Sequence, residues 1–113
     1  MTWWRLGLLV VVVTGCRHEA AFQVRVDPGG SESLVTLIVP PSLRVNARVP
    51  PGLELPDGRV LRFRADRLSA DSAYLLAPIS AVVPFKTDTV HGTLRISACD
   101  TVAQVCQQRV IVL

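Results

Sequence analysis

Two cysteines near the end of the chain, Cys99 and Cys106, constrain the fold more than any other feature because both lie in a predicted β-hairpin. Residues 89–99 alternate between apolar and polar side chains, which is the period of a half-buried strand. A short polar loop follows at residues 100–104, and residues 105–113 are rich in valine and isoleucine, as a return strand is. The sequence therefore predicts two antiparallel strands with one cysteine on each, beside the loop.

The alternation also assigns the first cysteine to a face of its strand. One face carries the apolar positions Val90, Gly92, Leu94, Ile96 and Ala98, and the other carries His91, Thr93, Arg95, Ser97 and Cys99. Cys99 is therefore predicted to lie away from the apolar core. A non-hydrogen-bonded pair of antiparallel residues brings the two Cα atoms to about 4.5 Å, within disulfide range. We expect Cys99 and Cys106 to face each other across such a pair and to form an exposed disulfide.

The rest of the chain after residue 21 also reads as short strands separated by turns. No segment keeps a 3.6-residue period over three turns, and residues 66–73 alone read as a helical turn or loop. Pro84, inside an apolar run, predicts an edge strand or a bulge. The pattern predicts an all-β protein, an immunoglobulin-like β-sandwich of about seven or eight short strands. Besides the hairpin, the segments from which these strands are drawn cover residues 22–26, 34–39, 43–46, 53–55, 60–65 and 81–86, with 74–76 as a further candidate.

The first fifteen residues resemble an export signal. Arg5 precedes an apolar run from Leu6 to Val13, which is too short for the roughly 20 residues of a spanning helix. The run ends in Val13-Thr14-Gly15-Cys16, which resembles the lipobox of bacterial lipoproteins. The alternative is an ordinary signal peptide followed by a coincidental cysteine. We expect a signal peptide at residues 1–15, lipid on Cys16, a linker over residues 16–21 and one domain over residues 22–113.

Export and lipidation predict the compartment. Cys99 and Cys106 are then an even pair in an oxidising environment, and the protein faces the periplasm. Arg17 follows the lipidated cysteine, and it is not the aspartate that resembles an inner-membrane retention signal, so we expect the outer membrane.

The charge and the motifs exclude several function classes. Removal of residues 1–15 takes away Arg5, one of 12 basic residues, and leaves all 9 acidic ones. This small excess, spread along the chain without aromatic interleaving, argues against nucleic acid as a partner. His91 and Cys99 are eight strand residues apart, about 26 Å, and His18 has no suitable spacing either, so no zinc site is expected. No hydrolase motif or phosphate-binding loop is present in the sequence, and no cofactor is predicted.

Residues 42–113 contain, in order, an extended segment at 45–50, an apolar strand at 82–85, a glycine-led strand at 92–98, and the two cysteines Cys99 and Cys106. This order resembles the N-terminal periplasmic domain of the thiol–disulfide interchange protein DsbD. It implies an immunoglobulin-like sandwich whose cysteine pair accepts and passes on electrons in the periplasm. It also implies that a thioredoxin-like protein or a membrane electron carrier, supplied separately, is the partner.

Two functions stay open for Cys99 and Cys106. Thiol–disulfide interchange requires an accessible sulfur and a stabilised thiolate, which Arg95 and Arg109 would favour and Asp100 would oppose. The alternative is a structural disulfide in a non-enzymatic interaction or scaffold lipoprotein.

Overall fold

A computed structural model of the chain describes residues 21–113. The predicted signal peptide of residues 1–15, the lipidation site Cys16 and the linker up to residue 20 lie outside the described residues. Within the described range, no helix has the length and apolar character needed to cross a membrane.

The described residues form nine antiparallel strands, which confirms the all-β prediction. The strands are β1 (Gln23–Pro28), β2 (Ser33–Ile38), β3 (Leu43–Asn46), β4 (Gly52–Glu54), β5 (Val60–Arg62), β6 (Arg64–Leu68), β7 (Tyr74–Val83), β8 (Thr93–Asp100) and β9 (Cys106–Val112).

Two long strands organise the sheet. β7 pairs with β6 along one edge and with β2 and then β3 along the other. β8 pairs with β9 along one edge and with β4 and β3 along the other. β3 joins the two halves, β1 extends β2, and β5 extends β4. The branching at β7 and β8 is consistent with a sandwich; the immunoglobulin-like topology stays a prediction.

One apolar cluster fills the space between these strands. The predicted core face of β8 is confirmed, because Leu94, Ile96 and Ala98 are buried in it. The alternating residues of β2 and β7 meet them there, as the two-residue period of strands requires. The buried members are Phe22, Val35, Leu37, Val45, Leu53, Leu55, Phe63, Ile79, Ala81, Val83, Leu94, Ile96 and Ala98.

The predicted strand 60–65 is two strands in the structure. Phe63 interrupts the ladder: its amide donates to the Pro51 carbonyl at 3.0 Å, and its side chain is buried. The prediction of a helical turn or loop at residues 66–73 was wrong for its first part, because β6 runs to Leu68 and pairs with β7. Pairing with a long neighbouring strand overrides weak local preference.

The predicted strands 74–76 and 81–86 are one strand, β7, which ends at Val83. Pro84 therefore follows the strand, and the edge or bulge predicted there was wrong. The irregularity lies instead opposite Pro78, where the register with β6 shifts between Ala65 and Arg67. Proline has no amide to donate to a ladder, so a bulge is where a paired strand can accommodate it.

Candidate functional site

The β8–β9 hairpin positions the two cysteines directly opposite each other. Seven consecutive pairs join the strands, from Thr93 with Val112 to Cys99 with Cys106. β8 begins later than predicted, because residues 89–92 form the approach to the strand and Gly92 adopts a φ of 150°. A side chain at Gly92 would collide with the Glu54 carbonyl oxygen, so only glycine fits this approach.

Cys99 and Cys106 are joined by a disulfide with an S–S distance of 2.08 Å and a Cα–Cα distance of 3.8 Å. The Asp100 amide donates to the Val105 carbonyl at 2.8 Å, so the hydrogen-bonded pair is the next one towards the loop. Hydrogen-bonded and non-hydrogen-bonded pairs alternate along an antiparallel ladder. The predicted non-hydrogen-bonded cysteine pair is therefore confirmed.

The two sulfur-bearing residues differ sharply in exposure. Cys106 is exposed, whereas Cys99 is 1% exposed, so the prediction that Cys99 lies on an open face was wrong. β8 is paired on both edges at this point, with Arg44 of β3 on one side and Cys106 on the other. Paired residues share a face, so their side chains flank Cys99. The disulfide is consequently open to solvent from the β9 side.

Asp100 organises the loop between the cysteines. Its carboxylate Oδ1 accepts the amides of Val102 at 2.8 Å and Ala103 at 2.9 Å. The amide donors of Ala103 and Val102 lower the pKa of Asp100, and the positive charge of Arg109 adds to the effect. The carboxylate is therefore held ionised beside Cys99, where its charge opposes formation of a second anion.

A second contact anchors the same loop to the rest of the domain. The amide and the hydroxyl of Thr101 both donate to the Ser42 carbonyl, at 3.2 and 3.1 Å. Sequence reasoning treated Asp100 only as an unfavourable neighbour and did not identify Ser42. An aspartate that opens a short polar loop is a recognisable signal for this kind of cap, whereas the contact with Ser42 depends on pairing across the fold.

The two arginines predicted to stabilise a thiolate, Arg95 and Arg109, interact with carboxylates instead. Arg95, on the cysteine face of β8, donates to the Glu54 carboxylate at 3.0 Å, and both side chains are about half exposed. The positive charge of Arg109 lowers the pKa of Asp100, and Arg109 lies on the opposite face of β9 from Cys106. A groove of about 200 Å³ lies on the cysteine face of the hairpin, where Arg95, Ser97 and Gln108 form part of its lining and neither cysteine does.

The other chemistry-bearing residues lie apart from the disulfide. His91 lies before the opposite end of β8, beside a cavity of about 300 Å³ with Leu55, Phe85 and Val90 in its wall. Within residues 21–113, no group of three or more histidine, cysteine or acidic side chains is arranged to hold a metal ion.

Searches of protein-family models, of curated proteins and of solved structures found no significant match to this chain. The resemblance to the DsbD N-terminal domain therefore stays a prediction from the residues quoted above.

Proposed function

We propose that this protein is a membrane-tethered periplasmic domain that takes part in thiol–disulfide interchange through Cys99 and Cys106. The observation that supports the proposal is the unequal exposure of the pair: Cys106 is open to solvent and Cys99 is buried. A disulfide with one accessible sulfur offers an incoming thiolate a single point of attack, which exchange requires.

The exchange would proceed in two steps. A thiolate of the partner attacks Sγ of Cys106, a new sulfur–sulfur bond forms, and the bond to Cys99 breaks with Cys99 leaving as a thiolate that takes a proton. A second thiolate of the partner then attacks the partner's own sulfur in the mixed disulfide and releases Cys106 as a thiol. The partner's two thiols are oxidised to a disulfide, and the Cys99–Cys106 disulfide is reduced to two thiols.

Exchange also requires that the domain keep its fold when the disulfide is open. Six further residue pairs hold β9 to β8, and the contacts of Asp100 and Thr101 hold the loop independently of the sulfurs. The hairpin geometry would therefore outlast reduction and keep the two thiols opposite each other for reoxidation.

The partner in this proposal is a thioredoxin-like protein or a membrane electron carrier, since the sequence given has one cysteine besides this pair, the proposed lipidation site Cys16. The proposed lipid on Cys16 would tether the domain to the periplasmic face of the envelope, with the outer membrane favoured by Arg17. Only residues 17–21 separate that anchor from the domain, so the exchange site would stay near the membrane surface.

A non-enzymatic interaction module with a structural disulfide is the second candidate. The burial of Cys99 and the anchoring of Thr101 to Ser42 favour it, because both restrict movement around the disulfide. Buried structural disulfides resist reduction, and their potentials usually lie below about −300 mV.

The reduction potential of the pair separates the two candidates. We expect a value between about −120 and −270 mV by equilibration with a thiol–disulfide buffer, the range of exchange proteins. The matched variants are Cys99→Ser, which keeps the exposed thiol, and Cys106→Ser, which keeps the buried one. Oxidised glutathione should form a mixed disulfide with the first and not with the second. A potential below about −300 mV with no mixed disulfide from either variant would leave the disulfide structural.

A further inference from the structure

The strand that carries Cys106 has a free edge. β9 pairs with β8 and with no other strand among the described residues. Hydrogen-bonded pairs occur at both ends of this ladder, since Asp100 bonds to Val105 and the Leu113 amide donates to the Gly92 carbonyl at 2.9 Å. The alternation between them turns the backbone amides and carbonyls of Cys106, Gln108, Val110 and Val112 away from β8. All four residues are exposed.

β9 lacks the features that protect the other edges of this sheet. β1 ends in Pro28 and carries the ion pair of Arg25 with Asp27 at 3.3 Å, and β5 has only 3 residues. β6 is charged, and its register with β7 is irregular. β9 runs for 7 residues without proline or a register shift and has a single charged residue, Arg109. A long, regular, largely uncharged edge is where another strand adds.

The same edge is the side from which the disulfide must be attacked. A thiolate displaces a sulfur along the line of the sulfur–sulfur bond, from the side opposite the leaving group. Cys99 leaves towards β8, so the incoming sulfur reaches Cys106 from the outer side of β9. The side chains of Gln108, Val110 and Val112 share the face of Cys106, so a partner strand would present its own alternate side chains beside them.

We propose that the partner binds as an added strand on β9: an extended segment with a cysteine opposite Cys106, antiparallel like every strand pair of this sheet. The proposal rests on the proposed exchange function and adds the form in which the substrate is recognised. Directly opposite residues of a hydrogen-bonded pair have Cα atoms about 5.5 Å apart, which a disulfide can bridge. Backbone bonding would provide affinity, and the cysteine face would select apolar side chains at alternate positions.

The test uses a peptide of the required pattern, acetyl-Lys-Val-Thr-Val-Thr-Val-Thr-Cys-amide. In the proposed register its valines and cysteine share the face of Cys106 and turn their amides towards β9, whereas its threonines turn theirs to solvent. We expect the peptide thiolate to form a mixed disulfide with Cys106, freeing the Cys99 thiol, at least tenfold faster than a twin N-methylated at the valines. A twin N-methylated at the threonines should react like the parent. Equal rates for all three peptides would overturn the added strand and leave exchange intact.

Two protein variants provide the matching control on the other side of the interface. Val110→Pro removes an outward amide without removing a bond to β8, and Val110→Thr keeps that amide and the strand preference. Reduction by dithiothreitol should proceed equally in both. Val110→Thr should still react faster with the parent peptide than with the peptide N-methylated at its valines. In Val110→Pro the two peptides should react at equal rates. A preference that persists in Val110→Pro would contradict strand addition.

A redox-independent measurement keeps the proposal testable if the disulfide proves inert. With a serine in place of the peptide cysteine, the amides of Gln108, Val110 and Val112 should gain protection from hydrogen exchange when peptide is added at millimolar concentration. The amides of Gln107, Arg109 and Ile111, already bonded to β8, should change little. No gain in protection would overturn the proposal. Protection of the outward amides without peptide, together with a dimer in analytical ultracentrifugation, would assign the edge to a second copy and also overturn it.

Discussion

Reduction of the disulfide should weaken this domain measurably without unfolding it. Cys99 and Cys106 are separated by 7 positions in the sequence, so the bond closes one of the shorter loops that a disulfide can close. In the chain-entropy model a loop of about eight residues restricts the unfolded chain by about 2.5 kcal/mol. Domains of this size have free energies of unfolding of about 5–15 kcal/mol, so the reduced form should remain folded at 25 °C.

The structure indicates where the remaining stability comes from. Thirteen residues form the apolar cluster, and neither cysteine belongs to it. The loop contacts of Asp100 and Thr101 involve no sulfur atom, and β9 keeps its other pairs with β8. A loss of about 2.5 kcal/mol corresponds to a fall in Tm of roughly 10–20 °C for a domain of this length.

The assay compares urea unfolding of residues 21–113 with and without tris(2-carboxyethyl)phosphine, followed by circular dichroism. Comparing the same chain in two redox states avoids the cavity that a substitution at Cys99 would leave. The expected result is a lower midpoint with a folded baseline in both states. Complete unfolding on reduction in the absence of urea would refute the reasoning, because a domain that loses its fold when reduced has no folded reduced state from which to pass electrons on.

Three further predictions concern the core, the loop and the anchor. Phe63→Ala should cost about 3–5 kcal/mol in urea unfolding because Phe63 is 1% exposed, whereas Phe85→Ala, at a site 40% exposed, should cost much less; equal costs would contradict the assigned core. The lowered pKa of Asp100 means that its stabilising contribution is present above the ordinary carboxylate pKa of about 3.9 and is lost as pH falls through the lower folded value. Asp100→Asn should therefore show a smaller fall in Tm below about pH 4 than the parent, and an identical acid profile would count against the loop network. Mass spectrometry of the mature protein should find diacylglyceryl on Cys16, and Cys16→Ser should move the protein to the soluble fraction; a soluble parent protein would exclude the anchor.

The hairpin and its cysteine pair follow from sequence because their determinants are local. The alternation of β8 predicts its core face, and the spacing of the two cysteines predicts their non-hydrogen-bonded pairing. The exposure of Cys99 does not follow, because its burial depends on β3, a strand more than fifty residues earlier in the chain. A period-two pattern identifies the face on which a side chain lies, but not what covers that face.

The strand boundaries predicted incorrectly in the rest of the chain also depend on residues distant in the sequence. Local preference divides β7 at Ala77-Pro78, yet β2, β3 and β6 all pair with it and make one strand of it. The division of residues 60–65 into two strands likewise depends on the bond from Phe63 to Pro51. Pairing between distant strands determines such boundaries, and a local sequence pattern does not predict which strands pair.

The locality of the β8–β9 hairpin has a consequence for the order of events during folding. A hairpin forms in about 1–10 μs and a small β-domain in milliseconds to seconds, whereas a disulfide forms over seconds to hours. On these timescales we expect the chain to complete its sheet while both thiols are still free, with Cys99 already covered. We therefore expect oxidation to act on the folded domain and to start at Cys106, so that the reduced chain would be able to fold before its disulfide forms.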